Sequence, residues 1–333
     1  MLTHDDYLLG WVCALPLEMA AAQAMLDEKH PELPSPSTDD NAYMLGAIAG
    51  HNVVIAGLPS GSYGTNSATR VLSQMRSTFP RLEVGLMVGI RGGVPSDSND
   101  IRLGDVVVSK PTGSCGGVVR YDSGKALQGG RFEHTGSLNQ PPQLLLTHLS
   151  LLQAEMMGRT EEADGLIWSG VQKVLGQNPH LQRKFGCPGP DQDTLFSAKY
   201  PHSAEGGLKV SCARCDRHQT VSRTLRSSME PHVHYGIIVS GDQVMKDSEA
   251  RDRLDQELGI LCFEMEAAGL MNQLPSLVVR GICDYFDSHK NKEWQGYAAL
   301  TAAVYSKLFL SRLKPRTLKQ WNKPRSLSLF AIG

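Results

Sequence analysis

Short apolar runs alternate with helix-forming stretches along most of this chain, and this alternation is the feature that most limits its fold. The first apolar run, at residues 7–14, leads through Pro16 into a stretch rich in Leu, Met, Ala and Gln, which favours a helix. Later apolar runs predict strands at 42–48, 52–57, 84–90, 104–109, 232–240, 259–263 and 276–282. Helical patterns lie at 67–78, 248–258 and 294–313. The order of these elements predicts a three-layer α/β/α sandwich with a twisted mixed central sheet.

The middle of the chain departs from this pattern. Residues 112–226 are first rich in Gly, then helical from about 142 to 175, and then rich in Pro, Cys, His and Asp. We predict an insertion built over the sheet, within a single domain that spans residues 1–315. Residues 316–333 are basic and then rich in Ser and Leu, which predicts a flexible C-terminal tail.

Composition argues against several classes of function. Lys and Arg (33) nearly balance Asp and Glu (34), so no overall field attracts nucleic acid. No window approaches the roughly 18 uninterrupted apolar residues of a membrane-spanning helix, and the N-terminus does not have the pattern of a signal peptide. The seven cysteines are scattered and odd in number, as is typical of reduced thiols. We therefore expect a cytoplasmic protein that binds a small molecule.

Two cysteines have part of a metal-binding spacing. Cys212 and Cys215 are separated by two residues, which is half of a zinc-ligand pattern, and Cys187 and His218 lie nearby. The sequence shows no second close pair of Cys or His residues. It therefore predicts a loop without a metal, and no cofactor.

Two acidic motifs near the C-terminal end carry most of the functional information. Glu266 lies in Phe-Glu-Met-Glu-Ala-Ala-Gly, and Asp284 ends the apolar run Val-Arg-Gly-Ile-Cys-Asp. A carboxylate among Met, Phe, Ala and Val loses several kcal/mol of hydration unless something compensates. We expect each side chain to bind a polar ligand that carries hydroxyls and a protonatable nitrogen. The simpler alternatives are a helix-start charge for Glu266 and a cap for Asp284.

Three further positions complete the candidate site. Glu18 in the first turn of the first helix either stabilises the helix end, by up to about 1 kcal/mol, or acts as a general base. The loop at 57–66, which includes Ser60 and Gly61, offers backbone N–H groups and hydroxyls to a sugar or a phosphate. Arg91 adds a cation at the end of a predicted strand. Because strand ends meet at one edge of a sheet, we expect these loops to converge.

The three carboxylates suit one class of reaction. Cleavage of a bond between a sugar and a nitrogen heterocycle leaves negative charge on the base and oxocarbenium character on the sugar. It needs an acid near the base, a carboxylate at the ribose hydroxyls and a positioned nucleophile. Asp284, Glu266 and Glu18 are residues of these types.

The chain resembles the nucleoside phosphorylase/nucleosidase superfamily, in motifs that include Leu-Pro-Leu-Glu, Ser-Gly-Ser-Tyr-Gly-Thr-Asn-Ser-Ala, Val-Gly-Ile-Arg-Gly-Gly, Leu-Gly-Asp-Val-Val-Val-Ser, Ser-Gly-Asp-Gln-Val, Phe-Glu-Met-Glu-Ala-Ala-Gly and Arg-Gly-Ile-Cys-Asp-Tyr. It is most similar to phosphorylase-like domains of fungal proteins, often found at the head of NACHT or repeat-containing immune-type receptors. The resemblance covers residues 7–110 and 232–310, and residues 112–226 match only the fungal branch. It implies a homo-oligomer.

The resemblance also implies roles for individual residues. Glu266 is expected to bind the ribose hydroxyls, Met265 to pack on the sugar, and Asp284 to donate a proton to purine N7. Gln243 and Val244 match the positions at which members of the family surround the base. The substrate-binding residues that we predict are Ser60, Gly61, Arg91, Gly92, Gln243, Val244, Phe263, Met265 and Glu266.

Glu18 decides the predicted reaction type, because phosphorylases of the hexameric bacterial kind carry a phosphate-binding Arg there. A carboxylate repels phosphate, and the resemblance implies that it polarises water, as in methylthioadenosine/S-adenosylhomocysteine nucleosidases. We predict an N-glycosidase that hydrolyses adenosine or the nucleotides AMP and ATP, with Asp284, Glu18 and Glu266 as catalytic residues. The cations available to a 5′-phosphate chain are Arg70, Arg91, Lys110 and Arg120.

Two alternatives stay open at this point. The first is a phosphate-dependent purine nucleoside phosphorylase, with phosphate bound by Ser60, Gly61 and Arg91. The second is a sensor module that binds a nucleotide without turnover.

Overall fold

The computed structural model describes residues 1–126, 132–158, 165–202, 212, 215–242, 247–290 and 292–321. The strands are β1 (Leu9–Cys13), β2 (Glu28–Lys29), β3 (Tyr43–Ile48), β4 (His51–Gly57), β5 (Val84–Gly93), β6 (Val106–Ser109), β7 (Val118–Arg120), β8 (Gly124–Ala126), β9 (Phe132–His134), β10 (Val233–Ser240), β11 (Ile260–Glu264) and β12 (Ser276–Asp284). The helices are α1 (Pro16–Gln23), α2 (Thr65–Thr78), α3 (Gln143–Met157), α4 (Leu166–Gln177), α5 (Gln182–Phe185), α6 (Ser248–Leu258), α7 (Gln295–Arg312) and α8 (Pro315–Trp321). The predicted α/β fold with a mixed central sheet is confirmed.

Ten strands form one mixed sheet, in the order β11-β10-β6-β12-β5-β1-β4-β3-β2, with β7 paired to β10. The central strand β5 is parallel to β1 and β12, and β1 is parallel to β4. The end of β5 pairs with β11 in the antiparallel sense, so β5, β12, β6, β10 and β11 form a closed ring. Because β1, β4, β5 and β12 run in one direction, their carboxyl ends meet at a single edge of the sheet.

Helices cover both faces of the sheet, which explains why its central strands read as nearly continuous apolar runs. On one face, α7 packs against β5 and β12, and α1, α3, α4 and α5 pack against α7. Met19 of α1 packs over Gly57 on this face. On the opposite face, Met75 of α2 packs over Gly10 of β1. The carboxyl ends of the strands are the part of the sheet that lies next to polar loops.

The structure corrects the prediction that residues 112–226 lie only over the sheet. Strand β6 pairs with β10 only from Val233 to Gly236, and β7 pairs with the rest of β10, from Ile238 to Ser240. The reason is that the backbone N–H and C=O groups of β10 need partners beyond the end of β6. One strand of the predicted insertion is therefore part of the sheet.

The predicted flexible tail is wrong over its first residues. The segment 315–321 forms α8, and Leu318 is 1% exposed. The burial of Leu318 against the main core gives this short helix a reason to form. Residues 322–333 lie outside the described part of the chain. Among the described helices, none is both long enough and apolar enough to cross a membrane.

Candidate active site

Glu18 is held by backbone groups from two elements. Its Oε2 accepts the N–H groups of Ala14 (2.6 Å) and Leu15 (2.9 Å), and its Oε1 accepts that of Ile90 (2.8 Å). These donors occupy three of the four lone-pair positions of the carboxylate. The side chain is 3% exposed, and burial raises the pKa of Glu18, an effect that two nearby arginines only partly offset. Such a carboxylate has one lone pair left for a further donor.

Four other charged residues lie near Glu18, and we call Glu18, Arg91, Glu264, Glu266 and Arg280 the charge cluster. Nη2 of Arg91 donates to both carboxylate oxygens of Glu266. Nη2 of Arg280 lies 2.5 Å from Oε2 of Glu264 and 3.4 Å from Oε2 of Glu266. Burial alone would lower the pKa of Arg91, but the three carboxylates outweigh it and raise the pKa.

This pairing corrects one expectation. The sequence predicted that Glu266 awaits a polar ligand, whereas the structure gives its fully buried carboxylate two arginine neighbours. Arg91 is accordingly engaged by Glu266 rather than free at the loop. The compensation for desolvation comes from within the protein.

Sequence reasoning missed Glu264 and Arg280. Glu264 accepts the backbone N–H groups of Glu266 (3.0 Å) and Ala267 (2.9 Å), so it fixes the turn that carries Glu266. Both residues are buried charges inside apolar strands, and this was the available signal. Nε and Nη1 of Arg280 have no hydrogen-bond partner among the described residues.

Asp284 is aimed by an irregularity in β12. The register between β12 and β5 pairs Ile282 with Arg91 and then Asp284 with Gly92. Cys283 is therefore the extra residue of a β-bulge, a feature that redirects the following side chain. A Cβ at Gly92 would overlap Oδ1 of Asp284, so the glycine is needed for this close approach.

The loop after β12 holds Asp284 in place. Oδ1 of Asp284 accepts the backbone N–H of Phe286 (2.9 Å) and lies 3.6 Å from Nζ of Lys290. Phe286 has a φ of 54°, an unfavourable left-handed conformation for a bulky side chain. Its ring stacks on Phe263, with centroids 4.3 Å apart, and lies 4.5 Å from Nζ of Lys290. The Asp284 side chain remains 13% exposed.

The strand β5 connects the three predicted catalytic carboxylates. Its residues Ile90, Arg91 and Gly92 contact Glu18, Glu266 and Asp284 respectively. Three successive strand residues span only about 7 Å.

The other predicted binding residues differ in how they are placed. Met265 is half-buried beside the charge cluster. Phe263 is fully buried against Phe286, so it supports the loop after β12 rather than lining an open surface. Gln243 and Val244 lie outside the described residues.

The loop before α2 meets the site through residues other than those predicted. Ser60 and Gly61 lie in an exposed turn. Thr65 instead donates its N–H and its hydroxyl to the carboxylate oxygens of Asp242, each at 2.8 Å. A Cβ at Gly64 would overlap Asp242, which brings this loop close to the turn after β10. The binding roles of Ser60 and Gly61 stay predictions.

The cations proposed for a phosphate chain are dispersed. Arg70 pairs with Asp40 on the surface, at 2.6 Å. Arg120 lies 2.9 Å from Asp122 and 3.7 Å from Asp242. Lys110 is partly buried. Arg120 is thus linked through Asp242 to the loop before α2.

A second group of side chains includes His289 of the loop after β12, and we call His202, Cys212, Cys215 and His289 the thiol–imidazole cluster. Each offers one possible metal-ligand atom, and the four atoms all lie within 4.8 Å of one another. The sequence placed Cys187 and His218 nearest to the cysteine pair, whereas the structure brings His202 and His289 to it. Because these histidines come from separate loops, spacing alone did not reveal them.

The fold matches solved structures of nucleosidases. A 5′-methylthioadenosine/S-adenosylhomocysteine nucleosidase from S. pneumoniae superimposes with a TM-score of 0.54 at 17% identity, covering 92% of this chain and 99% of that one. A putative enzyme of the same kind from Borrelia burgdorferi, bound to adenine, gives a TM-score of 0.56 at 14% identity, covering 91% and 99%. At these identities the likeness establishes the fold.

Sequence comparison identifies longer relatives. The chain is 45% identical over 319 residues to a nucleotide-binding leucine-rich repeat (NLR)-like protein of Hyaloscypha variabilis, covering 96% of this chain and 30% of that protein. It is 24% identical over 312 residues to the ATP nucleosidase Cap17 of Escherichia coli, covering 89% and 50%. The chain thus spans half or less of the length of these curated relatives. A family model described as the phosphorylase superfamily matches residues 9–308. The chain belongs to the phosphorylase superfamily.

Proposed function

We propose that this chain is an N-glycosidase that hydrolyses adenosine or an adenine nucleotide to adenine and the corresponding sugar. The observation that carries the proposal is the meeting of Glu18, Glu266 and Asp284 around Ile90–Gly92 of β5. The names of two relatives, a nucleosidase of ATP and one of methylthioadenosine and S-adenosylhomocysteine, support the same reaction class.

Asp284 is the proposed general acid. Its Oδ1 accepts the N–H of Phe286, and we assign the proton transfer to the base to Oδ2, which lies 3.6 Å from Sγ of Cys283. As the bond between C1′ and N9 breaks, its electron pair moves into the purine and the proton passes to N7. Neutralising the departing base in this way lowers the barrier to cleavage.

Glu18 is the proposed general base. Three N–H groups fix its carboxylate, and the lone pair that remains accepts a proton from water as the oxygen attacks C1′. Burial raises the pKa of Glu18, which makes the carboxylate a stronger base than a free glutamate. Glu18 then releases its proton to solvent and Asp284 regains one from solvent, so the net products are adenine and a free sugar.

Glu266 is the proposed anchor for the ribose. Nη2 of Arg91 donates to both carboxylate oxygens, and Nη2 of Arg280 lies 3.4 Å from Oε2, so one lone pair on Oε1 remains for a sugar hydroxyl. This remaining lone pair is the proposed acceptor of a hydrogen bond from a ribose hydroxyl. Met265, half-buried beside it, is the proposed apolar contact of the sugar.

The charge balance favours water over phosphate as the acceptor. The charge cluster contains three carboxylates and two guanidinium groups, and Arg91 is already engaged by Glu266. An incoming phosphate would meet net negative charge in a partly desolvated site, which is unfavourable. Ser60 and Gly61, in their exposed turn, are uncharged and do not change this net negative charge.

The 5′ side of the substrate is the less constrained end. Arg120, linked to the site through Asp242, is the cation best placed for a phosphate chain. We propose adenosine as the minimal substrate and ATP as the nucleotide substrate.

Product analysis tests the proposal. The full chain is incubated with adenosine, AMP, ATP, inosine and guanosine, with and without phosphate, and free base is quantified by chromatography. Adenine released equally well without phosphate is expected. Strict dependence on phosphate with ribose 1-phosphate as product, or no release from any substrate, would contradict the proposal.

A further inference from the structure

We propose that the thiol–imidazole cluster is a structural zinc site that joins His202, Cys212 and Cys215 to His289 in the loop after β12. The proposal does not depend on the proposed catalytic activity. It rests on four side chains of ligand type that converge on one point, and on the contacts that orient His289.

The distances within the cluster match those of a tetrahedral zinc site. Nδ1 of His289 lies 3.8 Å from Sγ of Cys212 and 3.6 Å from Sγ of Cys215. Zinc bonds of about 2.3 Å to sulfur and about 2.0 Å to nitrogen place such ligands about 3.6 Å apart across a tetrahedral angle. All four ligand atoms lie within 4.8 Å of one another, which is close enough for them to share a single ion.

The ring of His289 is oriented for metal binding. Its Nε2 lies 2.8 Å from the backbone carbonyl oxygen of Tyr200, which accepts a proton from that nitrogen. The proton on Nε2 leaves the lone pair on Nδ1, the atom that faces both sulfurs. A carbonyl partner of this kind commonly fixes the tautomer of a metal-bound histidine.

Packing makes the position of His289 rigid. The residue is 8% exposed, and its ring stacks on Phe196 with centroids 4.1 Å apart. Its backbone N–H donates to Oδ1 of Asp287 (2.8 Å), and the N–H of His202 donates to Oγ of Ser288 (2.8 Å). Contacts on both sides thus hold the two histidines close together before any ion binds.

The donor set selects zinc among common divalent ions. Two thiolates and two imidazoles form the Cys₂His₂ set of structural zinc sites, whereas magnesium and calcium prefer oxygen ligands. Four protein ligands also leave no open position for a substrate, which indicates a structural role. The cluster contains no Lys or Arg side chain. The ion would therefore supply the positive charge that balances the two thiolates.

The site has a consequence for the neighbouring active site. His289 lies five residues after Asp284 in the same loop, and Lys290 contacts both Asp284 and Phe286. A bound zinc would limit the motion of this loop. Any loss of turnover on zinc removal rests on the proposed function, whereas zinc content does not, so failure of one is distinguishable from failure of the other.

Metal analysis of the full chain, purified without chelators or a metal-affinity tag, tests the proposal. We expect about one zinc per chain by mass spectrometry, and its loss in Cys212→Ser/Cys215→Ser. Cys115→Ser changes a half-buried thiol outside the cluster and is the matched control, which should keep its zinc.

A cobalt titration keeps the test decisive if the double variant fails to fold. Reduced, metal-free protein of unchanged sequence should develop tetrahedral d–d and thiolate charge-transfer bands that saturate at about one Co²⁺ per chain. Its thermal midpoint should rise on addition of zinc and not of magnesium. Absence of both zinc and the cobalt spectrum would overturn the proposal, as would a Cys212–Cys215 disulfide in the purified protein.

Discussion

The charge cluster and the thiol–imidazole cluster solve the problem of buried polar groups differently. The first combines three carboxylates with two guanidinium groups, so its members largely compensate one another. The second combines two thiols with two imidazoles and has no internal cation. The charge cluster is thus balanced mainly by its own side chains, whereas the zinc proposal has an ion supply the positive charge of the thiol–imidazole cluster.

The two clusters also differ in how the chain assembles them. The members of the charge cluster lie in or just after β5, β11 and β12 and at the start of α1, so pairing within the central sheet brings them together. Those of the thiol–imidazole cluster come from loops. We therefore expect changes in the charge cluster to affect chemistry and core stability, and changes in the thiol–imidazole cluster to affect metal content.

The largest expected effect is on turnover. Asp284→Asn and Glu18→Gln each remove a proposed proton-transfer group, and we expect each to lower kcat for adenine release by about 10²–10⁴-fold. Initial rates with adenosine measure this loss. The exposed Asp40→Asn is the control and should leave the rate unchanged.

Metal content sharpens this prediction. Asp284→Asn and Glu18→Gln should retain the metal content of the unchanged protein, because neither residue belongs to the thiol–imidazole cluster. Rates within a few-fold of the unchanged protein would show that these carboxylates are structural only.

The next largest effect is on stability, and it differs between loss of an arginine and loss of a glutamate. Arg280→Met leaves three buried carboxylates with one cation, so we expect the free energy of unfolding to fall by about 3–5 kcal/mol. Glu264→Gln keeps an acceptor oxygen and removes surplus negative charge, so we expect a smaller loss of about 1–3 kcal/mol. Denaturant unfolding at neutral pH measures both, and equal losses would contradict the proposed charge balance.

The pH dependence of the rate is a third test. Because burial raises the pKa of Glu18 and the base must be ionised, kcat/KM should fall as the pH drops through that raised pKa. The acid limb should therefore lie above the ordinary value of 4.5 and approach about a tenfold loss per pH unit. The residual activity of Glu18→Gln should lack this limb. A limb that persists in Glu18→Gln would assign the base to another residue.

The smallest expected effect concerns the phosphate chain. Arg120→Ala should lower kcat/KM for ATP by about tenfold, or about 1.4 kcal/mol, and leave adenosine unaffected. Arg70→Ala is the matched control, because its guanidinium pairs with Asp40 on the surface and should matter to neither substrate. Equal losses with ATP and adenosine would place Arg120 in a structural role.

Sequence reasoning succeeded where a signal was local. The helix predicted at 248–258 has the bounds of α6, and Pro16 begins α1 as its position predicts. Glu266 and Asp284 were identifiable as carboxylates within apolar sequence, and Glu18 was identifiable from its position at the helix start and from the resemblance. The structure brings them around one strand, and their chemical roles stay proposals.

The remaining features depend on contacts between distant segments. The end of β5 was not predicted past Ile90, since its Gly92 and Gly93 have low strand propensity and are stabilised by pairing with β11. The bulge at Cys283 arises from the register with β5. His202 and His289 meet the cysteine pair only after the chain has folded.

The origin of the oxygen on the released sugar tests the central claim most directly. A single turnover of adenosine in H₂¹⁸O containing ordinary phosphate is followed at once by borohydride reduction, which prevents exchange of the label at C1. We predict ribitol labelled at C1, with unlabelled ribose carried through the same steps as the exchange control. Unlabelled ribose 1-phosphate as the main sugar product would show that phosphate is the acceptor and would contradict the proposed hydrolysis.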